Sequence, residues 1–169
     1  MLKPLTLNEP FPTTDGICPD ALSLRIISPA YATSVGELNA ILQYIYHSFF
    51  FENKGYKDIA DTLKSIAIAE MFHLDVLGET ILALGSAPVF SQCPPTPFNF
   101  YSTKYVAYSR SLRNMLEDDI LSERMAIAGY KKMHNCLKNE QVKMIVARIL
   151  QDEELHLATL EEILKNFKC

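Results

Sequence analysis

Apolar positions near the end of the chain recur in alternating steps of four and three: Val142, Val146, Ile149, Glu153, His156, Leu160, Ile163 and Phe167. That period is one face of an α-helix turned towards a core. A second stripe runs through Ile59, Leu63, Ile66, Glu70, His73, Leu77 and Leu84. A third has Glu37, Ile41, Tyr44, Ser48 and Phe51, with Val35 just before it. A fourth has Leu112, Leu116, Glu123, Ile127, Tyr130, His134 and Leu137. Five of the nine prolines lie in the first 29 residues and four between 88 and 97, which leaves two long proline-free stretches. The pattern predicts helices over about 30–53, 58–84, 105–136 and 140–166. Ser28-Pro29 is expected to open the first, Gly55 and Gly85 to follow C-termini, and Asn139 to cap the last.

The first and third links are only a few residues, so each pair of helices should form an antiparallel hairpin. The middle link, about 86–104, reaches roughly 60 Å when extended, enough to run the length of the bundle. The expected fold is all-α: a four-helix bundle of two antiparallel hairpins joined by a long crossover. Residues 1–29 read as an extended N-terminal arm and 30–169 as a single bundle domain.

Composition narrows the function classes. The chain has 169 residues, 49% of them apolar, with a net charge of −4. That balance argues against nucleic acid, which needs a clustered basic excess. No apolar run approaches the ~20 residues of a membrane span. The start, MLKPLTLNEPFPTT, has no apolar core of a signal peptide, so a cytoplasmic, reduced protein is expected. Cys18, Cys93, Cys136 and Cys169 form no Cys-x-x-Cys pair, which argues against a thiolate metal site.

The helical stripes should be apolar throughout, and they are not. Each carries a glutamate, and two carry a histidine three residues later, at Glu70/His73 and Glu153/His156. A carboxylate in a bundle core costs several kcal/mol unless it is paired, hydrogen-bonded or metal-bound. No basic side chain falls on these stripes. A buried polar network, or seams rotated towards water, would have to recur in four helices at once. Metal binding supplies a reason for the spacing, because residues three apart project from nearly one helix face.

An internal repeat sharpens the set. ELNAILQY at 37–44 matches ERMAIAGY at 123–130, and EMFHLDVLGE at 70–79 matches EELHLATLEE at 153–162. The frames E-x-x-A-I-x-x-Y and E-x-x-H-L-x-x-L-x-E imply a pseudo-two-fold site. They select Glu123 over its neighbours Glu117, Asp118 and Asp119, whose run reads as a solvated face, with Asp119 the one to re-examine.

On these residues the chain resembles the ferritin-like superfamily, and within it bacterioferritins, rubrerythrins and manganese-catalase-like proteins. The resemblance covers about residues 30–166. It implies two metal ions per chain held by Glu37, Glu70, His73, Glu123, Glu153 and His156. Glu37 and Glu123 would be terminal, Glu70 and Glu153 bridging, and each histidine would serve one ion. Tyr44 and Tyr130 would hydrogen-bond to the carboxylates; as ordinary core tyrosines they need no such role. Ala126 stands where rubrerythrins carry an extra glutamate, and no rubredoxin domain accompanies the bundle. Met71 occupies the haem-ligand position of bacterioferritins but reads as a helix-surface methionine, so haem is not expected. Cages of that family also use a fifth helix after the fourth, and the chain stops at Cys169, so a cage is not expected.

The implied function is an oxidoreductase with a di-iron or di-manganese centre, acting on O2 or H2O2 as ferroxidase, peroxidase or catalase, with an external electron donor if it is a reductase. Iron is the first expectation and manganese the second, with zinc able to enter on purification. The alternatives are iron storage of ferritin type and a non-catalytic metal-bound scaffold. His47 reads as a surface or interface residue, and His134 as a packed residue at the bundle end. Phe49, Phe50 and Phe51 cannot all face one core, which suggests a homodimer or higher homo-oligomer. FNFYSTKYVAY is expected to pack the crossover over the bundle.

Overall fold

The computed structural model describes residues 2–91 and 99–168. Cys93, Cys169 and the prolines Pro94, Pro95 and Pro97 lie outside the described residues. Among the described residues five α-helices follow in order: α1 (Ala21–Ala32), α2 (Glu37–Asn53), α3 (Lys57–Ala83), α4 (Leu112–Cys136) and α5 (Glu140–Asn166), with a short 3-10 turn at Thr103–Tyr105.

Helices α2 to α5 are the four expected bundle helices. Gly55, at φ +85°, turns the chain between α2 and α3, and Asn139 caps α5 by accepting from the amides of Gln141 and Val142. Tyr44 lies against Glu123 and Tyr130 against Glu37, so α2 and α4 run antiparallel. Since α3 is also antiparallel to α2, α3 and α4 are parallel and the crossover must travel the length of the bundle. Its described part lies against α2. The Tyr101 hydroxyl donates to Asn39, the Ala107 amide to Gln43, and the Tyr108 ring packs edge-on against Tyr46.

Two expectations about boundaries are corrected. Residues 21–29, expected to be extended, lie in the helix Ala21–Ala32, and Pro29 sits inside that helix instead of opening the next one. Asp20 caps α1 through the amides of Leu22 and Ser23, and Pro29 falls in the last turn, where a missing N–H and ring crowding disturb little that follows. The first bundle helix therefore starts at Glu37, after a break at 33–36. Gly36 makes that break possible: a Cβ there would lie 2.6 Å from the Ala30 carbonyl oxygen. Likewise α4 begins at Leu112, capped by Ser111, not at 105.

The core is in two parts. One cluster gathers Ile27, Tyr31, Leu77, Ile81, Val142 and Ile149, and the other gathers Phe51, Leu63, Ile66, Met115, Leu116 and Leu160. The buried acids and histidines of the four stripes lie in the bundle between them. Phe51 is buried, whereas Phe49 and Phe50 are exposed. Among the described residues, no helix is long and apolar enough to cross a membrane.

Candidate metal centre

All six residues singled out by the repeat meet in the middle of the bundle, and all are buried. Glu37 comes from the first turn of α2, Glu70 and His73 from α3, Glu123 from α4, and Glu153 and His156 from α5. They form two groups. In one, Glu37, Glu70, His73 and Glu153 each bring a donor atom within 4.8 Å of the others; in the second, Glu70, Glu123, Glu153 and His156 do the same. Glu70 and Glu153 belong to both.

The two groups mirror one another in distance. His73 Nδ1 lies 3.1 Å from Glu153 Oε1 and 3.7 Å from Glu37 Oε2. His156 Nδ1 lies 3.1 Å from Glu70 Oε1 and 3.7 Å from Glu123 Oε1. Each histidine thus faces the Glu-x-x-His glutamate of the other hairpin and the lone glutamate of its own. Symmetry lapses where His73 Nδ1 is also 2.7 Å from Glu70 Oε2. The imidazole rings stack with centroids 5.8 Å apart.

The tyrosines cross between hairpins. Tyr44 of α2 donates to Glu123 Oε1, and Tyr130 of α4 donates to Glu37 Oε1, in two short hydrogen bonds. Burial pushes both phenols well above their ordinary range, and the adjacent carboxylates Glu123 and Glu37 reinforce it, so both stay protonated donors.

Burial and the mutual effects of acids and imidazoles set the charges of this layer. Burial and the charge of Glu70 raise Glu37 to about 8. Burial, with Glu70 and Glu37, raises Glu153 to about 8. Burial and Glu153 hold Glu123 well above the ordinary carboxylate range. Burial also acts to raise Glu70, but the charges of His156 and His73 overcome it and hold Glu70 low. Burial disfavours the imidazolium of His73 and of His156; in each the Glu70 charge leads the effects that raise the group instead.

The donor set fits a cation. Glu70 Oε1, Glu123 Oε2, Glu153 Oε1 and His156 Nδ1 are buried atoms that make no hydrogen bond, although Glu70 Oε1 and Glu153 Oε1 each lie 3.1 Å from an imidazole Nδ1. All four belong to residues of the two groups. Both histidines turn Nδ1 inward and use Nε2 outward: His73 towards Asp152 Oδ2 at 3.1 Å, His156 towards the Leu5 carbonyl at 2.7 Å. Outward bonds of this kind fix the tautomer that leaves the inner nitrogen free to ligate.

A cleft of about 300 Å³ opens between α2 and α4 and reaches Glu37, Glu123 and Glu153. Val35, Leu121 and Met125, all exposed, are among its walls, and Ala126 lines it.

Asp152 is a residue the sequence reading did not select. It is buried, pairs with Arg148 Nη1 at 2.8 Å, and accepts from Thr6 Oγ1 and the Leu7 amide at 2.6 and 2.8 Å. Burial acts to raise its carboxyl, but the hydrogen bonds from His73, Arg148, Thr6 and Leu7 hold it below the ordinary range. Two other expectations are corrected. His47 is fully buried, with Nδ1 2.8 Å from Asp119 Oδ1 and Nε2 2.8 Å from the Ala107 carbonyl. Asp119 is fully buried as well, and so is no part of a solvated face. Met71 lies outside the six-residue cluster, 43% exposed on α3, and His134 is half-buried towards the end of α4.

The family model for the ferritin-like domain matches residues 34–169. In sequence, the bacterioferritin of Desulfovibrio desulfuricans is 28% identical over 136 residues, covering 78% of this chain and 70% of that protein. The bacterioferritin of Mycobacterium leprae is 27% identical over 128 residues, covering 74% of each. In structure, a manganese catalase from Anabaena superposes with a TM-score of 0.81 at 24% identity, over 94% of this chain and 78% of that one. The bacterioferritin of Mycobacterium tuberculosis gives 0.71 at 24% identity, over 88% and 87%. With its bundle, its repeated frames and this match over most of its length, the chain belongs to the ferritin-like family.

Proposed function

We propose that the chain holds two metal ions between α2, α3, α4 and α5 and uses them for redox chemistry on O2 or H2O2. Glu37, Glu70, His73 and Glu153 would hold one ion, and Glu70, Glu123, Glu153 and His156 would hold the other. The sharing of Glu70 and Glu153 by both four-residue groups carries this reading, because a single ion at either group would leave two of the six residues unused. Four carboxylates and two imidazoles suit iron first and manganese second. Such a pair of ions would supply electrons to O2 or peroxide, or accept them from peroxide.

The chain's own residues do the rest. Tyr44 and Tyr130 hold the terminal carboxylates by hydrogen bonds. The apolar clusters on either side keep bulk water from the layer. The cleft between α2 and α4 admits a molecule of the size of O2 or H2O2 to Glu37, Glu123 and Glu153. A reductive cycle would draw on an external electron donor.

Metal analysis of freshly purified protein, followed by anaerobic reduction and air reoxidation under an optical spectrum, tests this. Two ions of iron or manganese per chain, with turnover of O2 or peroxide, are expected. Fewer than one ion per chain, and no turnover after reconstitution with either metal, would overturn it. Iron storage is the second reading, supported by relatives that are bacterioferritins. Sedimentation mass separates the two: a homodimer or small ring goes with the enzyme, a shell of many copies with storage.

A further inference from the structure

The segment from Leu5 to Phe11 has no regular secondary structure, yet nearly all its polar contacts converge on the far side of the two histidines. The Leu5 carbonyl accepts from His156 Nε2 at 2.7 Å, and the Leu5 amide donates to the Ser65 carbonyl at 3.0 Å, pinning that carbonyl against α3. Thr6 and the Leu7 amide both donate to Asp152. Arg148, itself buried, reaches across to the Leu7 and Glu9 carbonyls at 3.0 Å and lies 4.7 Å over the Phe11 ring. Phe11 in turn meets the His73 ring edge-on at 5.8 Å.

We infer that residues 5–11 are a positioning strap for the metal centre, and that the strap makes the two halves of the centre unequal. The inference rests on the two-metal reading above. His73 leans on Asp152, a carboxylate fixed in α5 with its own ion pair to Arg148. If the strap lifts, Asp152 loses Thr6 and Leu7 but keeps its ion pair to Arg148 and its place beside His73. His156 leans on a peptide carbonyl of the strap itself. If the strap lifts, the outward nitrogen of His156 loses the Leu5 carbonyl, the partner that fixes its ligating tautomer. A carboxylate partner also makes an imidazole a stronger donor than a neutral carbonyl does. The Glu37–His73 half therefore binds the first ion, and the Glu123–His156 half binds the second, more weakly and only with the strap seated. The internal repeat does not impose this difference: the counterpart of Asp152 in the first hairpin is Ala69.

The test uses the full chain and Co2+ as probe. Metal-depleted protein is titrated by calorimetry, alongside Leu5→Pro, which removes the amide that pins the carbonyl to Ser65. Two unequal steps are expected in the parent chain. In Leu5→Pro the weaker step should lose at least tenfold in affinity and the tighter step should stay within twofold. Two equal steps, or both steps shifting together, or neither shifting, would overturn the strap. Failure of the parent chain to bind two ions would instead sink the two-metal reading. Hydrogen exchange on the unaltered chain answers the same question if Leu5→Pro does not fold. The Leu5 and Leu7 amides should gain protection with the second equivalent of Co2+. A gain confined to the first equivalent, or none, overturns the inference.

Discussion

Tyr44 and Glu123 lie 79 residues apart in sequence and share a short hydrogen bond across the bundle, with the phenol as donor. The same bond is made in reverse by Tyr130 and Glu37, so each hairpin restrains the lone carboxylate of the other. Removing one hydroxyl takes away a restraint and leaves a buried oxygen unpartnered. Tyr44→Phe should weaken metal binding by about 10–100-fold, the usual cost of losing an outer partner of a ligand. The loss should fall on one of two steps in a Co2+ titration, and Tyr130→Phe should affect the other. Unchanged affinities in both variants would reduce the tyrosines to ordinary core packing.

The pH response follows from the buried acids. Glu37 and Glu153 keep their protons to about 8 in the folded chain, against an ordinary value of 4.5. Between those values the folded state binds more protons than the unfolded state, so stability falls as pH rises. His73 and His156 are raised too, and act with the same sign: their stabilisation is present below 6.5 and is lost as pH climbs through the folded value. Metal-depleted protein should melt several degrees lower at pH 8.5 than at pH 6, at about 2–4 °C per kcal/mol for this size. Two equivalents of Mn2+ should raise the melting temperature more at pH 8.5, where fewer protons must be displaced. A melting temperature that climbed with pH in the depleted protein would contradict the charge balance of the site.

How much of this could be read in the sequence differs residue by residue. The six clustered residues were legible because each appears twice, in register, on a stripe that should be apolar; Tyr44 and Tyr130 were legible for the same reason. That logic also hid Asp152, whose counterpart is Ala69. The Leu5 carbonyl was out of reach of any side-chain pattern, since every residue but its position offers the same group. Pro29 misplaced a boundary because the rule for prolines at helix starts has a rival, the last turn of a preceding helix. His47 and Asp119 were misread because a single stripe underestimates the buried arc of a helix. Helix α2 meets α3, α4 and the crossover, so Gln43 and His47 are buried alongside the Glu37–Tyr44 seam.

That second polar cluster should matter for stability and not for metal. His47 is bound on both ring nitrogens, and Gln43 also donates to Asp119 Oδ1 at 2.9 Å. Burial raises the Asp119 carboxyl, against the pull of His47. Taking away His47 leaves a buried acid with one of its oxygens already unpartnered. His47→Ala should cost about 3–5 kcal/mol in urea unfolding. Adding Asp119→Ala should recover part of that loss, giving a coupling that a double-mutant cycle reads directly. Metal stoichiometry should stay at that of the parent chain; its loss would place this cluster within the centre.

Gly36 ties helix packing to the site. It immediately precedes Glu37, and a Cβ at this position would fall 2.6 Å from the Ala30 oxygen, 2.9 Å from its carbon and 3.0 Å from the Thr33 amide nitrogen. Those atoms are backbone, so no side chain can swing aside, and the start of α2 must move instead. Gly36→Ala should destabilise by about 1–3 kcal/mol, as overpacking does. It should also displace Glu37 and weaken the metal step that depends on it. Gly129 in α4 is the control, with nothing within 4 Å of its added Cβ. Gly129→Ala should stabilise by roughly 0.5–1 kcal/mol through helix propensity and leave both metal steps alone. Thermal melts and Co2+ titrations on the two variants check the contrast, and equal behaviour would show that α1 does not set the position of Glu37.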